Sequence, residues 1–122
     1  MGRMDSGVYI AVFGLRRARR LRVGALGRFR FAPGVYLYVG SAQRNLAARL
    51  DRHGRKDKPL RWHIDYLSSA AEMLGAMVFA GGRPRECALA EELSRGYARP
   101  VPRFGASDCR CGGHLFYAPE LL

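Results

Sequence analysis

The stretch "GVYLYVGSAQRNLAARLDRH", Gly34–His53, decides how the fold is read. Its first half, Val35–Gly40, is apolar on both faces and reads as a central strand of a sheet. Tyr36 and Tyr38 lie two apart and so share a face. Tyr38 ends the strand beside Gly40, where a backbone can approach a ligand closely. The second half reads as a helix over Arg44–Arg52, with Leu46 and Leu50 as its apolar stripe. Residues advance by about 100° on a helix, so Arg49 lies about 60° from Leu46, with His53 over it at i+4. Arg49 and His53 are therefore expected to flank the buried stripe and reach over the sheet edge. Arginine offers a planar, permanently charged fork of donors suited to a phosphate. Arg44 and Arg52 fit an ordinary solvated helix face better.

Working outward, "GVYIAVFG" (Gly7–Gly14) reads as a first strand bounded by glycines. Paired antiparallel with Val35–Gly40, it would let the Tyr9 and Tyr38 hydroxyls meet at one end of the sheet. Between the two, Arg16–Val23 begins as a basic turn and ends in alternation. Leu21 and Val23 take one face, Arg20 and Arg22 the other. After the turn Gly24–Gly27, "RFRF" alternates again, with Phe29 and Phe31 opposite Arg28 and Arg30. The pattern predicts a hairpin with one apolar and one arginine face. Arg16, Arg17 and Arg19 add to the basic run.

Further along, "GRKDKP" reads as a polar loop, and Leu60–Leu74 as helical over at least part of its length. Gly75–Ala80 reads as a strand, "GGRPR" as a turn, Glu86–Tyr97 as a helix and His114–Ala118 as a last strand. These elements predict α+β: a small, mainly antiparallel sheet flanked by helices, a single-layer core with the hairpin added. With 122 residues, one domain over 1–122 is expected.

Lys and Arg total 21 against 10 acidic residues, a formal charge of +11. A charge of that size repels itself on folding, and nucleic acid is the commonest polyanionic partner. Neither a membrane-crossing run nor a secretory leader is evident, so a cytoplasmic, non-membrane protein is expected. Three cysteines, an odd count, argue against a disulfide framework.

At this point the residues resemble a known superfamily. "GVY" at Gly7–Tyr9 and "YVG" at Tyr38–Gly40 look like the paired signature of the GIY-YIG nucleases. "YVGSAQRNLAARLDRH" is similar to the segment running from their second signature strand into their first helix. The hairpin lengthens the usual gap between the two signatures. "WHIDYL", "ECALAEEL" and "FGASDCRCGGHLFY" resemble a small branch of the superfamily that carries such an insertion. The resemblance implies a metal-dependent endonuclease cutting nucleic acid, DNA foremost, by in-line water attack. It implies Tyr9 as base, oriented by Tyr38, with Arg49 neutralising phosphate charge and His53 as an alternative base or relay. It also implies one Mg²⁺ or Mn²⁺ on a helical Glu.

Glu86 fits that last role. It projects onto the apolar stripe formed by Leu89, Ala90, Leu93 and Tyr97, where a carboxylate is costly unless paired or bound to a cation. Stabilisation of the helix N-terminus is the rival reading. Glu91 is the fallback in another register. Nucleic-acid contacts are expected from the hairpin arginines together with Gly40, Ser41, Arg44 and His63. His63 and Asp65, near Trp62, can touch substrate or simply stabilise a helix. Cys109, Cys111 and His114, with distant Cys87, can make a four-ligand zinc site, though the spacing is tighter than common zinc motifs. Ser107 and Asp108 can equally bond to backbone. The rival functions are a nucleic-acid-binding module without catalysis, and a zinc-stabilised interaction domain.

Overall fold

The computed structural model describes residues 5–106 and 109–121. The readings placed on Ser107 and Asp108 lie outside them. Six strands and three helices run in the order β1 (Gly7–Leu15), β2 (Arg19–Arg22), β3 (Arg28–Phe31), β4 (Gly34–Ala42), α1 (Leu46–Gly54), α2 (His63–Ser68), β5 (Glu72–Phe79), α3 (Arg83–Leu93) and β6 (Leu115–Ala118). Short 3₁₀ turns occupy Gly24–Leu26 and Pro119–Leu121. The α+β expectation holds.

The main sheet is antiparallel, in the order β5-β1-β4-β6, and β2 and β3 form the separate hairpin. β1 and β4 pair without interruption from Gly7↔Ala42 to Leu15↔Gly34. Both are central strands, and their side chains alternate between two apolar layers. Tyr9, Ala11, Phe13 and Leu15 face one layer, closed by α1, α2 and the hairpin's Val23 and Phe31. Val8, Ile10, Val35, Leu37 and Val39 face the other, closed by Ala90 of α3 and Phe116 of β6. Each fully buried Phe in such a layer contributes about 1.5–3 kcal/mol.

The hairpin forms as its alternation predicts. Leu21 lies across from Phe29, and its arginines stand in direct opposition, Arg20 with Arg30 and Arg22 with Arg28. Like charges placed opposite each other destabilise a ladder. No ion pair to these four is found among the described residues. The apolar face holds the hairpin down, while its arginine face stays exposed.

Three helix boundaries differ from the sequence reading. The helix expected within Leu60–Leu74 ends at Ser68, and Glu72–Leu74 already belong to β5. The alanine-rich "SSAAEML" favours helix locally, but pairing of β5 with β1 overrides it. The segment read as a "GGRPR" turn instead begins α3 at Arg83, with Pro84 in the first turn, where its missing N–H costs nothing. Helix α1 starts at Leu46 rather than Arg44, after Asn45 in the left-handed region at φ 57°.

Candidate functional site

β6 covers only Val35–Tyr38 of β4, and a bond from Val39 N–H to the His114 carbonyl closes that ladder. Beyond it, a groove of about 450 Å³ opens at Gly40 and Ser41. Tyr9, Tyr38 and Arg49 reach it from the layer under α1 and α2, and Glu86 reaches it from α3 across the sheet. The start of α3, with Arg83 and Cys87, completes one wall; Arg61, Trp62 and His63 form another.

Ser41 joins the two halves. Its carbonyl accepts a hydrogen bond from Arg49 Nη1 at 2.8 Å, and its hydroxyl donates to Glu86 Oε1. Glu86 Oε2 accepts from His114 Nδ1 at 2.8 Å. Burial pushes the Glu86 carboxyl up, but the bonds from His114 and Ser41 outweigh it and hold the group below the usual carboxylate range. Glu86 is thus anionic at the groove, the cause being its partners rather than its place in the first helical turn alone.

The tyrosine pair meets as the register requires. Tyr9 lies opposite Gly40, and the Tyr9 and Tyr38 ring centroids are 6.4 Å apart. Gly40 makes room for this partner: a Cβ there would lie 2.5 Å from the Tyr9 hydroxyl. The close approach expected for a ligand is thus taken by the Tyr9 ring. The phenol is almost wholly covered, and burial pushes it above its usual titration range; the Arg49 guanidinium beside it opposes the shift without cancelling it. Tyr38 shifts the same way, again chiefly through burial.

His53 corrects the sequence reading. It was expected beside the stripe; it is buried within it, with its Nε2 2.7 Å from the Tyr9 hydroxyl. Seven residues after Leu46, it returns to within about 20° of that leucine's direction, directly over the core. Burial, then the nearby Lys58 charge, lower its pKa to about 4, so the imidazole is neutral at pH 7.

Arg52 is a second correction. Far from a solvated surface residue, it forms a two-pronged pair with the fully buried Asp65, at 2.6 and 2.9 Å. The same carboxylate accepts from the backbone N–H groups of Arg61 and Trp62, opening α2. Asp65 is therefore structural. Trp62 carries both guanidinium groups over its ring, Arg49 at 4.8 Å and Arg52 at 4.4 Å. His63 Nδ1 accepts from Gly105 N–H at 2.8 Å, and burial lowers its pKa. Its proton therefore resides on Nε2, a neutral donor on the groove wall.

Glu91, the fallback carboxylate, is exposed and faces Arg99 at 3.6 Å, away from the groove. Arg44 is exposed ahead of α1 and does not line the groove, nor do Arg16, Arg17, Arg19, Arg20, Arg22, Arg28 and Arg30. The sequence reading missed Arg61, Trp62 and Arg83 as wall residues; "RWH" and "GRPR" flag basic turns, but only the fold brings them together.

Beside the groove, Cys87, Cys109, Cys111 and His114 form a group that could hold a metal ion, with their ligand atoms all within 4.8 Å of one another. Its sulfur-rich donors do not suit Mg²⁺ or Mn²⁺. The carboxylate on the groove that could offer an oxygen to such a hard cation is Glu86. Its Oε1 accepts from Ser41 and its Oε2 from His114, and a carboxylate oxygen has lone pairs for more than one partner. One carboxylate supplemented by waters and a substrate phosphate is a common way to hold Mg²⁺, so the residues fit that ion.

A family model described as "Domain of unknown function DUF123" matches residues 8–121. The chain belongs to the DUF123 family. No curated protein and no solved structure matched it. The matched span of the DUF123 domain takes in both tyrosine strands, the hairpin, the groove and the cysteine group. No helix among the described residues is long and apolar enough to cross a membrane.

Proposed function

We propose that this DUF123 chain is a metal-dependent endonuclease hydrolysing nucleic-acid phosphodiester bonds, DNA foremost, in the manner of the GIY-YIG nucleases it resembles. The observation that carries the reading is a single groove walled by Tyr9, Tyr38, Arg49 and Glu86. Four groups from β1, β4, α1 and α3 converge there, and each has a use in phosphoryl transfer.

Arg49, anchored on the Ser41 carbonyl, holds a phosphoryl oxygen and offsets the charge that grows in the transition state. The Tyr9 oxygen takes the proton of the attacking water while its own proton passes to His53 Nε2. Handing on its proton spares the buried phenol from ionising, and the imidazole is unprotonated at neutral pH and so open to a proton, although burial makes it a weak acceptor. Tyr38 packs against both rings and fixes their orientation. His63 offers its Nε2–H to the substrate. Glu86 would hold a Mg²⁺ or Mn²⁺ ion, which when bound supplies positive charge at the scissile phosphate. The exposed arginines of the hairpin would track the backbone, giving steep salt dependence and little base preference.

The near-complete burial of Tyr9 favours a second reading, a module that binds nucleic acid without cutting it. One assay separates the two. Duplex, single-stranded and branched DNA, and the matching RNAs, are incubated with the chain and Mg²⁺ or Mn²⁺. Cleavage that disappears in Arg49→Ala supports the nuclease. Tight, salt-sensitive binding with every substrate intact leaves the binding module.

A further inference from the structure

The cysteine group next to the groove has chemistry of its own. Its residues come from three places: Cys87 from near the start of α3, Cys109 and Cys111 from the long connection to β6, and His114 from just before β6. They are separate in sequence, yet one Sγ from each cysteine and a ring nitrogen of His114 gather within 4.8 Å. No cysteine is in a disulfide. His114 is fully buried, and the three cysteines are half-buried.

We infer that Cys87, Cys109, Cys111 and His114 bind a structural zinc ion, and that this centre positions Glu86. Zinc bound to thiolates at ~2.3 Å and to imidazole at ~2.0–2.1 Å in a tetrahedron leaves sulfur and nitrogen ligands about 3.5 Å apart. Cys109 Sγ and His114 Nε2 are separated by 3.5 Å. Three thiolates and an imidazole make a closed, four-coordinate set that selects zinc over oxygen-seeking cations.

His114 supplies the second, independent observation. Its Nε2 faces the sulfurs, and its Nδ1 lies 2.8 Å from Glu86 Oε2. A zinc-bound histidine almost always gives its other N–H to a carboxylate or carbonyl, which fixes its tautomer. Here the carboxylate is the one facing the groove. Cys87 also follows Glu86 directly in the chain. The centre thus holds Glu86 twice, through its backbone neighbour and through the imidazole on its carboxylate. It also ties the connection to α3. The loop carrying the cysteines is already shaped for this: Arg103 Nη1 donates to the Cys111 carbonyl, and Arg103 N–H to the Gly112 carbonyl. This inference stands whether or not the groove cuts nucleic acid, because its readout is metal content.

The test begins with the full chain purified in reductant and without chelator. Elemental analysis should find one zinc per chain. Exchange with Co²⁺ should give the intense visible bands of a tetrahedral thiolate site, with sulfur-to-cobalt charge transfer in the near ultraviolet. Cys111→Ser should lose stoichiometric metal. Glu86→Gln should keep the tetrahedral spectrum but bind about 10–100-fold more weakly, as loss of an outer-shell partner does. The cobalt spectrum of the unaltered chain keeps the test decisive if Cys111→Ser does not fold. The inference is overturned if the reduced chain takes up neither zinc nor cobalt stoichiometrically, if the cobalt spectrum is octahedral, or if folded Cys111→Ser keeps full zinc. Absence of cleavage by the zinc-loaded, unaltered chain with Mg²⁺ or Mn²⁺ would sink the nuclease reading and leave this one standing.

Discussion

Arg49 and Arg52 sit three residues apart on α1, both over the Trp62 indole. One belongs to a groove and the other to a latch. Arg52 spends its donors on a carboxylate with no exposure, and that carboxylate also caps α2. The pair therefore fixes α2 against α1 and leaves no donor geometry for a ligand. Arg49 donates to the main-chain carbonyl of Ser41 and keeps its charge toward open volume. The difference shows that residue type and helix position do not decide the role of an arginine. What decides it is whether an anion of the protein is already there.

The largest effect that can break this contrast is on the latch. Asp65→Ala removes the only carboxylate paired with Arg52 among the described contacts and frees two backbone N–H groups. The stability loss should be about 3–5 kcal/mol, read from urea denaturation at pH 7. A loss below about 1 kcal/mol would mean that the latch is a surface pair.

Next comes the groove. Arg49→Ala should lower kcat for cleavage by about 10²–10³-fold if the guanidinium acts on the transition state. Its urea midpoint should move far less than that of Asp65→Ala. If the two variants lose stability equally and cleavage follows stability, the contrast between the two arginines is wrong.

A third test uses His53, whose ring lies 5.5 Å from that of Tyr9 and 6.2 Å from that of Trp62, between groove and latch. Its pKa in the folded chain is about 4, below the ordinary 6.5, because of burial and then Lys58. In the window between, the unfolded chain takes up a proton that the folded chain does not. Stability contributed by neutral His53 is therefore complete above pH 6.5 and falls as pH drops toward 4, by roughly 3 kcal/mol in all. Urea midpoints across that window should fall for the unaltered chain and flatten in His53→Gln. A parallel slope in both would place the acid sensitivity elsewhere.

How far these roles can be read from sequence follows from the range of the interactions. The tyrosine strands and the hairpin were legible because alternation is a local signal that a sheet preserves. Glu86 was legible because a carboxylate on an apolar helix stripe calls for a partner. The partners themselves, Ser41 and His114, lie 45 and 28 residues away in number from Glu86, and no local pattern pairs them. The Arg52–Asp65 latch was hidden for the same reason: Arg52 alone looks like solvated charge, and no local pattern joins it to Asp65 thirteen residues on. His53 was misplaced although the helical period does put it over Leu46; the i+4 relation to Arg49 drew the reading to the border. The end of α2 was obscured because Ala70 and Ala71, just beyond it, favour helix while a distant strand claims the residues from Glu72 on.

The smallest expected effect concerns the arginines outside the groove. Arg20 faces Arg30, and Arg22 faces Arg28, with no counter-charge among the described ion pairs. Folding gains nothing from that arrangement, since opposed like charges weaken a strand pair. A phosphate backbone lying across the hairpin would reverse the balance, releasing one condensed counterion for about each phosphate neutralised. Arg20→Gln with Arg30→Gln should then raise the urea midpoint slightly while weakening nucleic-acid binding. The slope of log affinity against log salt should fall by up to about 2 for duplex DNA, and by the same amount for unrelated sequences. Binding with an unchanged slope would mean that the hairpin does not touch the backbone. The repulsion would then stand without a ligand to relieve it, and the groove alone would have to account for binding.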